Sequence, residues 1–194
     1  MGVSLHRLRA FRRGMSEPAR RIDVRVGSST DALTPVSRAT RSFAATRGQW
    51  LSLGVIAVAA VAADQLTKWL VASNLELGGG VHIVGPFWIR HVQNSGIAFG
   101  FFASATAAVI ILTAGAIAWM LAYFARSGGR HPVLPIALGL VIGGSISNLA
   151  DRIRLGHVTD FLDFKYWPAF NLADSFIVIG VGMILVALVL ADRG

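Results

Sequence analysis

Asp160 and Asp174 stand fourteen positions apart around the start of the last long apolar run, in Val158-Thr159-Asp160-Phe161 and Phe170-Asn171-Leu172-Ala173-Asp174-Ser175. Two carboxylates brought together cannot both ionise easily, and a pair that shares one proton supplies an acid and a base at once. The chemistry this favours is general acid–base catalysis. An ionisable group at the mouth of a bilayer-length helix is costly, which makes Asp174 a functional candidate in need of a partner. Asp160 and Asp163 both precede a phenylalanine, and spacing alone leaves either one as that partner.

Other polar groups punctuate apolar surroundings. Asp64 and Lys68 lie four apart, on one helical face and within reach of each other. They read equally as a neutralising ion pair or as a pair that orders a loop or contacts a substrate backbone. Asn94-Ser95-Gly96-Ile97-Ala98-Phe99-Gly100 is either a turn into a helix or a polar group facing a cavity. In Gly143-Gly144-Ser145-Ile146-Ser147-Asn148-Leu149-Ala150-Asp151-Arg152 the glycines are explained by close helix approach. Asn148 shares a face with Arg152 and needs something to hydrogen-bond, whereas Asp151–Arg152 reads as a locally paired, snorkelling helix end. His82, His91, His131 and His157 show no ligand spacing, so no metal site is expected. With no cysteine there is no thiol nucleophile and no disulfide.

These residues must be positioned by membrane helices. The chain is 54% hydrophobic and 14% charged, and a hydrocarbon core takes about 20 apolar residues as helix. Four segments reach that length, roughly 50–73, 99–123, 132–150 and 172–191. Between them, 81–92 is β-rich and broken by Gly85-Pro86, and 157–164 partly alternates, so a small sheet on the outer face is expected. Phe87, Trp88, Tyr166 and Trp167 would then sit at the membrane interface.

The net charge of +8 is concentrated in residues 1–49, where ten arginines face Glu17, Asp23 and Asp31. This stretch has no sustained apolar period and reads as a disordered Arg-rich cytoplasmic tail attracted to anionic lipid, ahead of a membrane domain over 50–194. A transit peptide and a dispensable extension compete with that reading. Basic residues also mark the 125–131 connection, which places it and both termini in the cytoplasm and the two long connections outside.

Together the four blocks resemble the lipoprotein signal peptidase (signal peptidase II) family, over roughly 50–191. They are Asp64-Gln65-Leu66-Thr67-Lys68, Asn94 to Gly100, Gly144 to Phe161, and Phe170 to Ser175. The resemblance implies a membrane protein of four transmembrane helices with a small extracytoplasmic β cradle, in the bacterial plasma membrane. It implies that Asp160, rather than Asp163, joins Asp174 as the catalytic pair. It further implies that Asn148 and Asn171 line the pocket and that Asn94 and Arg152 help hold substrate, with Asp64 and Lys68 between structural and substrate-orienting roles. The implied reaction is removal of the signal peptide from diacylglyceryl-modified prolipoproteins, N-terminal to the lipidated cysteine. Membrane lipids are the expected surroundings, with no cofactor or nucleic acid partner and a monomeric protein. The Arg-rich tail has no counterpart in the family pattern. Two other classes compete: an ion relay through Asp64, Lys68, Asp151, Arg152 and Asp174, and a scaffold that binds lipidated peptides without cutting them.

Overall fold

The computed structural model describes residues 43–95 and 103–191. Residues 1–42 of the tail, residues 96–102 after Ser95 and the three C-terminal residues lie outside them. Four helices follow in order: α1 (Arg47–Asn74), α2 (Ala103–Ser127), α3 (Leu134–Leu155) and α4 (Leu172–Ala191). All four are long and apolar enough to cross a membrane. A four-stranded antiparallel sheet fills the two long connections: β1 (Gly80–Val84), β2 (Phe87–Asn94), β3 (Val158–Phe164) and β4 (Trp167–Phe170), paired in sequence order. The expected strands are present. β4 is an addition that four residues bearing a proline did not announce.

Helix α1 starts three residues before the expected apolar segment because Thr46 and Gln49 cap it reciprocally, Gln49 Nε2 continuing to the Gly128 carbonyl at 2.9 Å. Backbone bonds from Gly129 to Phe43 and from Ala45 to Ala125 tie the entrance of α1 to the end of α2. The sheet lies at the far end of α1. Helix α3 outruns its expected span by five residues, ending where Gly156 adopts φ 78° beyond Arg152 and Arg154. The three charged residues after Ala150 are therefore helical.

Helix α3 is the central element: 61% of its most apolar window is buried, against 22%, 6% and 11% for α1, α2 and α4. Without a hydrophobic drive between helices in lipid, close backbone approach must hold them. A methyl group on Gly143 would stand 2.6 Å from the Ala57 carbonyl, and one on Gly180 at 2.6 Å from that of Ala137. The buried stripe of α1 runs Leu53, Ala57, Ala60, Asp64, Lys68. One helical face thus passes from apolar packing to charge as it nears the sheet. Gly143→Ala should separate α1 from α3 and destabilise the protein by about 1–3 kcal/mol, the usual cost of overpacking. Thermal unfolding in detergent measures this, and an unchanged melting temperature would show that the contact yields.

Candidate active site

The sheet is arranged by one irregularity. Strands β2 and β3 pair in register at Trp88↔Asp163 and Ile89↔Leu162, then shift by one residue before Val92↔Asp160 and Asn94↔Val158. Side chains alternate faces along a strand, so a one-residue bulge exchanges them. Arg90 pairs diagonally with Asp163 on one face, at 3.1 Å and largely exposed on the arginine side. Beyond the bulge Asn94 lies on the face of Asp160, and its Nδ2 donates to Asp160 Oδ2 at 2.9 Å. Asp163 is paired with Arg90 and lies on the other face from Asp160.

Asp174 sits in the first turn of α4, where backbone N–H groups favour negative charge. Asn171 caps that helix: the Asp174 N–H donates to Asn171 Oδ1 at 3.0 Å, and the Asn171 N–H donates back to Asp174 Oδ2 at 3.3 Å. The Asn171 amide also donates to Asp160 Oδ1 at 2.7 Å. One wholly buried asparagine therefore touches both aspartates. Asn148 contributes from α3, giving its Nδ2 to Asp174 Oδ1 at 2.8 Å and accepting from Asn171 Nδ2 at 3.1 Å. Arg152, half-buried one turn further, donates to the Asn148 carbonyl at 3.2 Å.

The two carboxyls differ in setting. Asp160 is 2% exposed, while Asp174 is half-buried. Burial holds the Asp160 carboxyl above the usual carboxylate range and the nearby Asp174 adds to this, with the Asn94 and Asn171 amides and Lys68 pulling the other way. A buried group inclined to keep its proton beside a more open one is the asymmetry that acid–base chemistry needs.

Asp64 and Lys68 form a second layer. Asp64 is fully buried and bridges three helices: Oδ2 meets Lys68 Nζ at 2.6 Å and accepts from Ser147 Oγ at 2.7 Å, and Oδ1 accepts the Ala173 N–H of α4 at 2.9 Å. Lys68 Nζ also donates to Asn148 Oδ1 at 2.7 Å and lies 2.8 Å from Asp151 Oδ2, an ion contact without hydrogen-bond alignment. Gln65 Nε2 closes the layer on Asp151 Oδ1 at 2.7 Å and Ser147 Oγ at 2.9 Å. Asp151 is thus buried against α1 instead of paired with Arg152, because the longer α3 turns it inward. Gln65 and Ser147 join this layer without having been expected from the sequence, and Asp151 takes a place in it other than the one beside Arg152. The signal was the i, i+4 pairing of Ser147 with Asp151, matching that of Asp64 with Lys68.

Comparison with known proteins gives a consistent answer. The family model described as signal peptidase (SPase) II matches residues 56–190. A lipoprotein signal peptidase of Symbiobacterium thermophilum is 42% identical over 144 residues, covering 72% of this chain and 95% of its own. That of Syntrophotalea carbinolica is 44% identical over 147 residues, covering 72% and 91%. A bacterial membrane enzyme solved at 1.9 Å superposes with a TM-score of 0.67 at 29% identity, over 72% of this chain and 92% of that one.

Proposed function

The chain belongs to the signal peptidase II family, and from that premise we propose that Asp160 and Asp174 are its catalytic pair. The protein is a bacterial membrane peptidase of aspartic type that removes signal peptides from prolipoproteins. The observation that carries the assignment of the pair is Asn171, whose side chain and backbone hydrogen-bond both carboxyls.

In the proposed cycle Asp174, at the helix N-terminus and the more open of the two, takes a proton from water as it attacks the scissile carbonyl. Asp160 holds a proton, hydrogen-bonds the carbonyl oxygen, and finally a proton passes to the leaving amine. Asn148 and Asn171 keep the carboxyls in place without adding charge. Asn94 and Arg152, at the rim, hold the substrate backbone.

The substrate in this reading is a prolipoprotein already carrying diacylglycerol on its cysteine, cut on the N-terminal side of that residue. Its acyl chains stay in lipid while the peptide enters the polar end of the bundle. The sheet end faces outward. Residues 1–49 and the 125–131 connection face the cytoplasm, a placement supported by the bonds that join 43–46 to 125–129. Cleavage of modified and unmodified precursor by purified protein tests the lipid requirement. The unmodified form should be cut at least about 100-fold more slowly, the loss expected when a scissile bond is misplaced by about an ångström. Equal rates would remove the lipid from recognition.

A further inference from the structure

We infer that Lys68 is a positioning residue for the reaction: it fixes the direction of the Asn148 amide and, with Asp64 and Asp151, sets the local charge felt by Asp160. This rests on the reading of Asp160 and Asp174 as the catalytic pair.

The first half follows from donor and acceptor counting. An amide has one oxygen with two acceptor sites and one nitrogen with two donors, and it can turn over to exchange them. Asn148 Oδ1 receives both Lys68 Nζ at 2.7 Å and Asn171 Nδ2 at 3.1 Å. An ammonium donates only, so Lys68 holds the oxygen on its own side and leaves Nδ2 to meet Asp174 Oδ1 at 2.8 Å. A neutral residue in place of Lys68 would remove the charged one of the two donors on Oδ1, leaving Asn171 Nδ2 alone to resist reversal, and a reversed amide would set an oxygen against the Asp174 carboxylate.

The second half follows from charge and distance. From Lys68 Nζ, three contacts in series reach Asp160: to Asn148 Oδ1, from there to Asn171 Nδ2, and on to Asp160 Oδ1 at 2.7 Å. Lys68 is 4% exposed, Asp64 0% and Asp151 4%, so little water screens them. Two carboxylates and one ammonium give the cluster a formal charge of −1. The other charged groups facing this region are Arg152 on α3, Asp174 on α4 and Asp160 on β3. His91 on β2 is turned to the Leu75 carbonyl, and Arg90 and Asp163 lie on the opposite sheet face.

The sign is fixed by the proposed role of Asp160 as the protonated acid. Activity falls on the alkaline side as that proton is lost. Lys68→Met removes a cation that favours the carboxylate, so the alkaline limb should move to higher pH, by about one unit in a partly polarisable interior. Asp151→Asn removes an anion, so its limb should move to lower pH by a similar amount. The double variant restores the formal charge of −1 and should return the limb close to wild type, while its rate stays low because Asn148 Oδ1 keeps only one of its two donors.

Initial rates of cleavage of a diacylglyceryl-modified precursor, followed across pH in detergent micelles, read these three shifts. Opposite movements with cancellation in the double variant support the inference. Lower rates with an unmoved limb, or both single variants moving the same way, would overturn it and leave Lys68 a scaffold group. If Lys68→Met does not fold, the near-isosteric Asp151→Asn decides alone: movement to lower pH supports the inference and an unmoved limb overturns it. Asp160→Asn and Asp174→Asn run in the same assay separate the two levels. Full cleavage by either would defeat the catalytic pair whatever Lys68 does, whereas loss in both with unmoved limbs defeats the Lys68 inference only.

Discussion

Asp174→Asn is expected to abolish cleavage, lowering the rate by at least about 1,000-fold, within the range that a positioned acid or base contributes. The change is nearly isosteric, and the carbonyl of the new amide can still accept from Asn148 Nδ2 or from the Asn171 N–H, now at 2.8 Å and 3.3 Å from the carboxylate. The Asp174 N–H keeps its bond to Asn171 Oδ1. Helix α4 should therefore form as before, and the loss should be chemical. Initial rates on diacylglyceryl-modified precursor, with circular dichroism and melting temperature as controls, make the comparison. A folded variant with more than about a tenth of wild-type activity would exclude Asp174 as the general base.

Asp64→Ala is expected to be the most damaging single change to stability, by about 3–5 kcal/mol, the cost of breaking a buried ion pair from one side. It strips Lys68 of its 2.6 Å partner, leaves Ser147 Oγ without its acceptor, and frees the Ala173 N–H in the first turns of α4. Each of these groups is buried, so water cannot stand in for the carboxylate. Reversible unfolding in mixed micelles reads the difference. A loss below about 1 kcal/mol would mean that the network relaxes around the gap. The result bears on function too, since Asp64 hydrogen-bonds α1 to the helix carrying Asp174.

Much of this arrangement is visible in the chain itself. Span lengths and apolar runs give the four helices, and Gly85-Pro86 between β-rich runs gives the first hairpin. Asp174 and Asn148 stand out because apolar helices have no use for them unless something is bound, whereas Asn171 enters only through the family resemblance. What stays hidden depends on contacts across the bundle. Asp151 reads as the local partner of Arg152 until α3 is seen to continue to Leu155, which turns Asp151 toward Lys68. Gln65 and Ser147 are ordinary polar residues until the two helices are brought face to face. The choice between Asp160 and Asp163 depends on strand register, and nothing in the local sequence announces the shift between Ile89 and Val92. The family resemblance points to Asp160 there without supplying the geometry.

That shift divides β2 into two halves with separate obligations. Up to it, the strand pairs Trp88 with Asp163, which Arg90 at the shift reaches diagonally; after it, the same parity of residues presents Asn94 to Asp160. The extra residue works as a phase change in the strand's alternation. The connection leading into β2 can lengthen or shorten without altering which side chain meets Asp160, because the count restarts after the shift. Deleting one residue between Ile89 and Val92, with the outer pairing kept, would give an unbroken ladder in which Asn94 still faces Val158, whereas inserting one between Val92 and Asn94 would carry the amide past that place. Length is therefore tolerated up to the shift and fixed after it.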